Sequence, residues 1–143
     1  MTAPVTRSDP DQVLEIKAPS GADEAQRRAS DPSVSAWVGA SAGTGKTKVL
    51  TDRVMRLLLP RSDGSPGTPP HKILCLTYTK AAAGEMALRL SAALGRWAVM
   101  GDGDLEAALR TLLGHDPGQE VRAAARRLFA AVVDAPGGLK VMT

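Results

Sequence analysis

The chain has 143 residues, 43% hydrophobic and 23% charged, with a formal net charge of +3. That length buries one respectable core, and the lone cysteine, Cys75, excludes an internal disulfide framework and fits a reducing, cytoplasmic setting. No stretch approaches a membrane span and the first residues hold no apolar signal run, so the sequence reads as a soluble protein with no membrane partner.

Residues 1–21 carry Pro4, Pro10 and Pro19 among polar residues and read as a loose arm. Residues 22–30 read as a short polar helix that stops before Pro32. Val34, Ala36 and Val38 alternate, which predicts a first strand ending at Gly39. A helix from near Lys46 puts Leu50, Val54, Leu57 and Leu58 on one face, and Pro60 ends it. Residues 60–70, PRSDGSPGTPP, are a loop by every local criterion.

KILCLT at 72–77 is apolar without alternation, the signature of a parallel strand covered on both faces. With the first strand and the intervening helix it makes a βαβ unit. A helix over 81–100 aligns Met86, Leu90, Ala93, Leu94 and Trp97, and a second follows over 105–113. The most regular helix, 121–133, has apolar positions at Val121, Ala124, Ala125, Leu128, Phe129, Val132 and Val133. Pro136-Gly137-Gly138 breaks that pattern, and LKVMT opens an extended segment, as in a fragment that stops within a strand. The expected fold class is α/β, a parallel-sheet fragment with an added helical segment.

Between the first predicted strand and its helix lies Ala40-Ser41-Ala42-Gly43-Thr44-Gly45-Lys46-Thr47, which fits G-x-x-x-x-G-K-[ST] with Ala in the first position. Gly43 and Gly45 permit a tight backbone whose N–H groups turn inward onto phosphates, and the following helix N-terminus adds to the same anion site. Lys46 supplies a point charge to the β/γ oxygens and Thr47 a hydroxyl to Mg²⁺, with Lys48 next in the first turn. These are the P-loop requirements for ATP. The alternative is a glycine-rich turn that merely precedes a helix.

The positive charge is concentrated around this element. Residues 35–98 hold 9 basic and 3 acidic groups, against 4 and 6 before them and 5 and 6 after. A polyanion such as nucleic acid is a natural partner, and a solvated basic face is the plainer reading. Thr77, Tyr78 and Thr79 follow the second strand at its C-terminal edge, where open α/β sheets place ligands. Tyr78 beside Lys80 and Arg89 combines a stacking ring with phosphate-neutralising charge, the usual means of holding single strands. Otherwise the tyrosine packs over the following helix.

GASAGTGKT and ILCLTYTKAAAGEM resemble motifs I and Ia of the UvrD/Rep-type superfamily 1 helicases. SAWVGASAGTGKTKVLTDRVMRLLL, LGRWAVM and LFAAVVDAPGGLKVMT are similar to the AddA-type branch, the helicase–nuclease components of bacterial double-strand-break repair. The resemblance runs from about Ala22 to Thr143. It implies a P-loop NTPase of RecA-like fold, with a partial ATP-binding domain over 22–93 and a helical insertion over 94–134. Residues 135–143 would begin a strand returning to that domain. ATP and Mg²⁺ are the implied cofactors, and single- and double-stranded DNA and an AddB-like nuclease subunit the implied partners. The implied activity is ATP-driven translocation on single-stranded DNA in recombinational repair, with nuclease activity.

By position, Gly45, Lys46 and Thr47 match the family's nucleotide and Mg²⁺ residues. Tyr78 falls where the family has Phe in a T-F-T motif implicated in contacting single-stranded DNA. Gln26 matches the Q motif, whose Gln reads adenine, and an amide's paired donor and acceptor suit adenine N6 and N7. Ala22 and Asp23 depart from that motif's Leu and Asn, and a solvated helical side chain is the alternative for Gln26.

Hydrolysis in this superfamily also needs a D-E pair after a strand, and arginine fingers. Asp23-Glu24 is the only D-E pair and has no apolar strand before it. LFAAVVD, read as a strand, would make Asp134 a Walker B carboxylate and the chain a stand-alone, kinase-like P-loop protein. Against that stand the helical spacing of 121–133 and Ala135, where a helicase needs Glu. A non-catalytic ATP- or DNA-binding module is a third reading. The leading expectation is a nucleotide-binding fragment that is inactive alone.

Overall fold

The computed structural model describes residues 21–39, 41 and 45–143, so all of the arm expected over 1–21 except Gly21 lies outside it. Residues 21–29 form helix α1, and Ser30 ends it in a turn before Pro32. Helix α2, Lys46–Leu58, buries Val49, Thr51, Val54, Met55 and Leu58 on one face. Leu50, expected on that face, is partly exposed at its edge. Leu59 takes extended backbone before Pro60, and the loop doubles back over the helix end, where Thr68 N–H donates to the Leu57 carbonyl at 2.7 Å. Gly67 makes this approach possible: a Cβ there would stand 2.0 Å from the Leu58 carbonyl oxygen.

A single turn at Pro70–Lys72 leads into strand β1, Leu74–Leu76. Helix α3, Lys80–Val99, is capped by Thr79, whose hydroxyl accepts from Ala82 N–H, and it buries Met86, Leu90, Ala93, Leu94 and Trp97. Helix α4, Asp102–Leu113, has Asp102 and Asp104 in its first turn and Arg110 in its last, which suits the helix dipole. Helix α5, Gly118–Asp134, buries Ala125 and Leu128. Strand β2, Lys140–Met142, then pairs parallel with β1 in the register Leu74↔Lys140, Cys75↔Val141, Leu76↔Met142. Helices α2 to α5 and the Ile73 and Cys75 side of β1 share one core. Ion pairs at its rim (Glu106 with Arg122, Asp102 with Arg126) tie α4 to α5 but are partly exposed and weak individually.

Two expectations about the sheet fail. Residues 35–39 are not a strand, and all of 33–39 is exposed, with Trp37 at 97%. Alternation describes which face a strand would bury, but a strand exists only beside a hydrogen-bonding neighbour. The described sheet holds only β1 and β2, and this segment pairs with neither. The parallel pair is therefore β1 with β2, separated by three helices, and not the expected βαβ unit around α2. Nor is β1 covered on both faces: Cys75 is buried, while Leu74 and Leu76 are 56% and 65% exposed. Burial pushes the Cys75 thiol pKa up, so it behaves as a small apolar side chain.

Leu94 is 1% exposed at the centre of the shared core. Leu94→Ala should lower unfolding free energy by about 2–5 kcal/mol, read from denaturant melts, through lost burial plus a cavity. A loss below about 1 kcal/mol would mean that the helices do not share one core.

Candidate functional site

The site is built on the first turn of α2. Gly45 precedes it with φ 90° and ψ 15°, left-handed backbone that only glycine adopts without strain. Val49 N–H donates to the Gly45 carbonyl at 3.0 Å, closing the first helical bond. Among the described residues no side chain caps this turn, and no acidic residue lies in it. Lys46 and Thr47 are exposed. A helix start with no acidic residue in its first turn, beside a lysine and a hydroxyl, is a fit for an anion. Ala40, Ala42, Gly43 and Thr44 lie outside the described residues; Ser41 is described and exposed. Lys48 points along the helix, with Nζ 2.6 Å from Asp52 Oδ2, into a groove of about 450 Å³ that Arg89 and Arg96 of α3 also line.

Gln26 of α1 reaches the same turn. A Cβ placed on Gly45 would lie 2.9 Å from Gln26 Nε2, so the amide rests directly on the glycine that opens α2. The side chain is half-buried and does not project into solvent as a merely solvated glutamine would. Fold contacts thus bring Gln26 to the P-loop, although 19 residues separate Gln26 from Gly45 in sequence.

The second set of expected residues gathers at the C-terminal edge of β1, and its members divide by role. Thr77 N–H donates to the Met142 carbonyl at 2.9 Å, and its hydroxyl donates to the Thr79 carbonyl at 3.0 Å. Thr79 caps α3. Both threonines therefore serve the backbone of the corner between them. Tyr78 is fully exposed (104%), which overturns the reading that packs it over the helix. Lys80 is exposed beside it, and Arg89, two and a half turns further along, pairs with Glu85 at 2.6 Å.

Asp134 is the last residue of α5 and is exposed. Residues 128–134 are helical throughout, so the strand reading that would have made Asp134 a Walker B carboxylate is wrong. The 3.6-residue period already carried that signal. The residues that sequence reading missed are Arg53 and Arg56, on the flank of α2. Arg53 donates to the carbonyls of Ala29 (3.2 Å), Asp31 (2.7 Å) and Val34 (2.5 Å). Arg56 donates to the Arg27 carbonyl (2.8 Å) and the Ser30 hydroxyl (3.0 Å). Their only sequence signal was two arginines three apart, off the apolar face of a helix. Burial lowers the Arg56 pKa, and Asp31 and Asp52 act in the opposite direction.

Residues 22–125, most of the chain, match the UvrD/REP helicase N-terminal domain. The A subunit of an ATP-dependent helicase/nuclease from Lactobacillus helveticus is 41% identical over 76 residues, 53% of this chain and 6% of that protein. Its namesake from Moorella thermoacetica is 39% identical over 104 residues, 73% of this chain and 6% of that protein. The one from Lactobacillus gasseri is 49% identical over 53 residues, 37% of this chain and 4% of that protein. No solved structure matches. Among the described residues no helix is long and apolar enough to cross a membrane. The chain spans about a twentieth of the length of these relatives, and through the match over residues 22–125 it belongs to the UvrD/REP helicase family.

Proposed function

We propose that this chain is the ATP-binding N-terminal part of a DNA helicase–nuclease that moves along single-stranded DNA in recombinational double-strand-break repair. The observation that carries the reading is Gln26 resting on Gly45, which brings a base-reading amide to the glycine that opens the phosphate cradle. Residues 22–93 would form the RecA-like ATP-binding unit, 94–134 a helical insertion, and 135–143 the return into the sheet; the parallel pairing of β2 with β1 supports this. Residues 40–45 with Lys46 and Thr47 would hold the phosphates and Mg²⁺, and Gln26 the adenine. When bound, Mg-ATP supplies the phosphoanhydride whose cleavage drives the helicase. Thr77 and Thr79 would shape the corner from which Tyr78 and Lys80 meet single-stranded DNA. The relatives are each named as one lettered component of a helicase/nuclease, which supports a second component, taken here to be AddB-like. Double-stranded DNA would be the substrate that is opened.

Lys46 is exposed at an open turn, so Lys46→Ala removes charge without opening a cavity. Calorimetry on the 143-residue chain should show Mg-ATP affinity falling about 10- to 100-fold, the worth of a charge-assisted bond, with Tm unchanged. Neither form should show DNA-stimulated turnover, because no D-E pair follows either described strand. Unaltered ATP affinity in the alanine variant would sink the cradle assignment.

Tyr78→Ala in the intact protein should weaken single-strand binding by about one to two orders of magnitude at fixed salt, and Tyr78→Phe should cost little. Because the ring is fully exposed, neither change should move Tm. A stable Tyr78→Ala protein with undiminished DNA affinity ends the stacking assignment.

A further inference from the structure

Helix α1 contributes nothing to the apolar core: no residue from 21 to 39 belongs to it, and the only buried residue there is Ser30. What joins α1 to the rest of the fold is polar. The last carbonyls of a helix have no intrahelical partner and form the negative end of its dipole. Here the carbonyls of Arg27 and Ala29, and of Asp31 just past the helix, accept from two guanidinium groups of α2. Arg53 extends the grip to Val34, the start of the segment that leads to the cradle. Arg27 adds a contact of its own, its Cδ lying 2.7 Å from where a Cβ on Gly114 would stand.

These bonds set the position of Gln26. Its neighbour Arg27 is the residue whose carbonyl Arg56 holds, so Gln26 sits in the turn that the clamp fixes. Both arginines lie on the helix that opens at Lys46, roughly 10 and 15 Å along it. One rigid helix therefore carries the phosphate turn at its end and the clamp on its flank. The span from the phosphates to the Gln26 amide is fixed by a single element. Arg56 Nε is buried with no partner, so the guanidinium is held where its Nη1 can reach α1 at the expense of its own hydrogen bonding.

We propose that Arg53 and Arg56 are positioning residues for base selection: they hold α1 so that Gln26 meets adenine, without touching the nucleotide themselves. This rests on the reading above, that the cradle binds ATP and Gln26 reads its base. The consequence is specific to the base. Releasing α1 leaves the α2 turn and its phosphate contacts in place, so phosphate affinity survives while discrimination is lost.

The test titrates Mg-ATP, Mg-GTP and Mg-tripolyphosphate into the 143-residue chain, for wild type, Gln26→Ala, Arg53→Met and Arg56→Met. Wild type should prefer ATP over GTP by about tenfold or more, the scale on which a side-chain amide paired with a base edge discriminates. Each methionine variant should bring ATP affinity down to the GTP level, as Gln26→Ala does, with tripolyphosphate affinity unchanged. Arg53→Lys, which keeps the charge but not the fork that spans three carbonyls, should lose part of the preference and keeps the test usable if Arg53→Met does not fold. Equal loss of affinity for all three ligands would make the arginines general supports and overturn the inference. Full ATP preference in folded variants would overturn it as well. A wild type that binds all three but does not distinguish ATP from GTP would refute the Gln26 assignment, and the inference with it.

Discussion

Everything at the site depends on α2 being a rigid helix whose first turn is left open. Most helices close their start with a serine, threonine or aspartate side chain, worth about 1 kcal/mol. Here Gly45 stands at that position with φ 90° and offers no side chain, and no acidic residue neutralises the turn. The helix gives up that stabilisation and leaves the positive end of its dipole suited to an anion. It recovers stability through its buried face, where Val54, Met55 and Leu58 enter the core. The remaining flank carries Arg53 and Arg56, which hold α1. Core face, first turn and clamp are thus in fixed register over 13 residues.

The sheet edge follows a related logic. Parallel pairing of β1 with β2 joins segments more than sixty residues apart, a non-local contact whose loop-closure cost is offset by the helices that pack between them. Thr77 ties its backbone to Met142 as β1 ends, and Thr79, on the other side of Tyr78, starts α3. With both neighbours committed to backbone bonds, Tyr78 projects fully into solvent. Exposing a large aromatic ring forgoes burial, which makes sense where the ring has a ligand to stack on.

The helices were legible in the sequence because their apolar residues recur at helical spacing. Met86, Leu90, Ala93, Leu94 and Trp97 were placed on one face by period alone, and α3 buries all five. The same period correctly argued against a strand ending at Asp134. The sheet was much less legible. Alternation at Val34, Ala36 and Val38 marks a segment capable of pairing, but pairing depends on a neighbour that periodicity does not encode. The spacing G-x-G-K-T also predicted where α2 begins, and the helix does open at Lys46 behind a left-handed Gly45. The approach of Gln26 to Gly45 and the role of Arg53 and Arg56 were illegible in residue spacing, because side-chain bonds to distant carbonyls leave no pattern there.

The central claim, that α1 and the α2 turn form one nucleotide site, is tested most directly by amide hydrogen exchange on the chain with and without Mg-ATP. Protection is predicted in two separated stretches, residues 41–50 and residues 24–30, with α4 and α5 unchanged. Protection of the α2 turn alone would contradict the claim that α1 belongs to the site. Absence of protection at the α2 turn under saturating nucleotide would contradict the site itself.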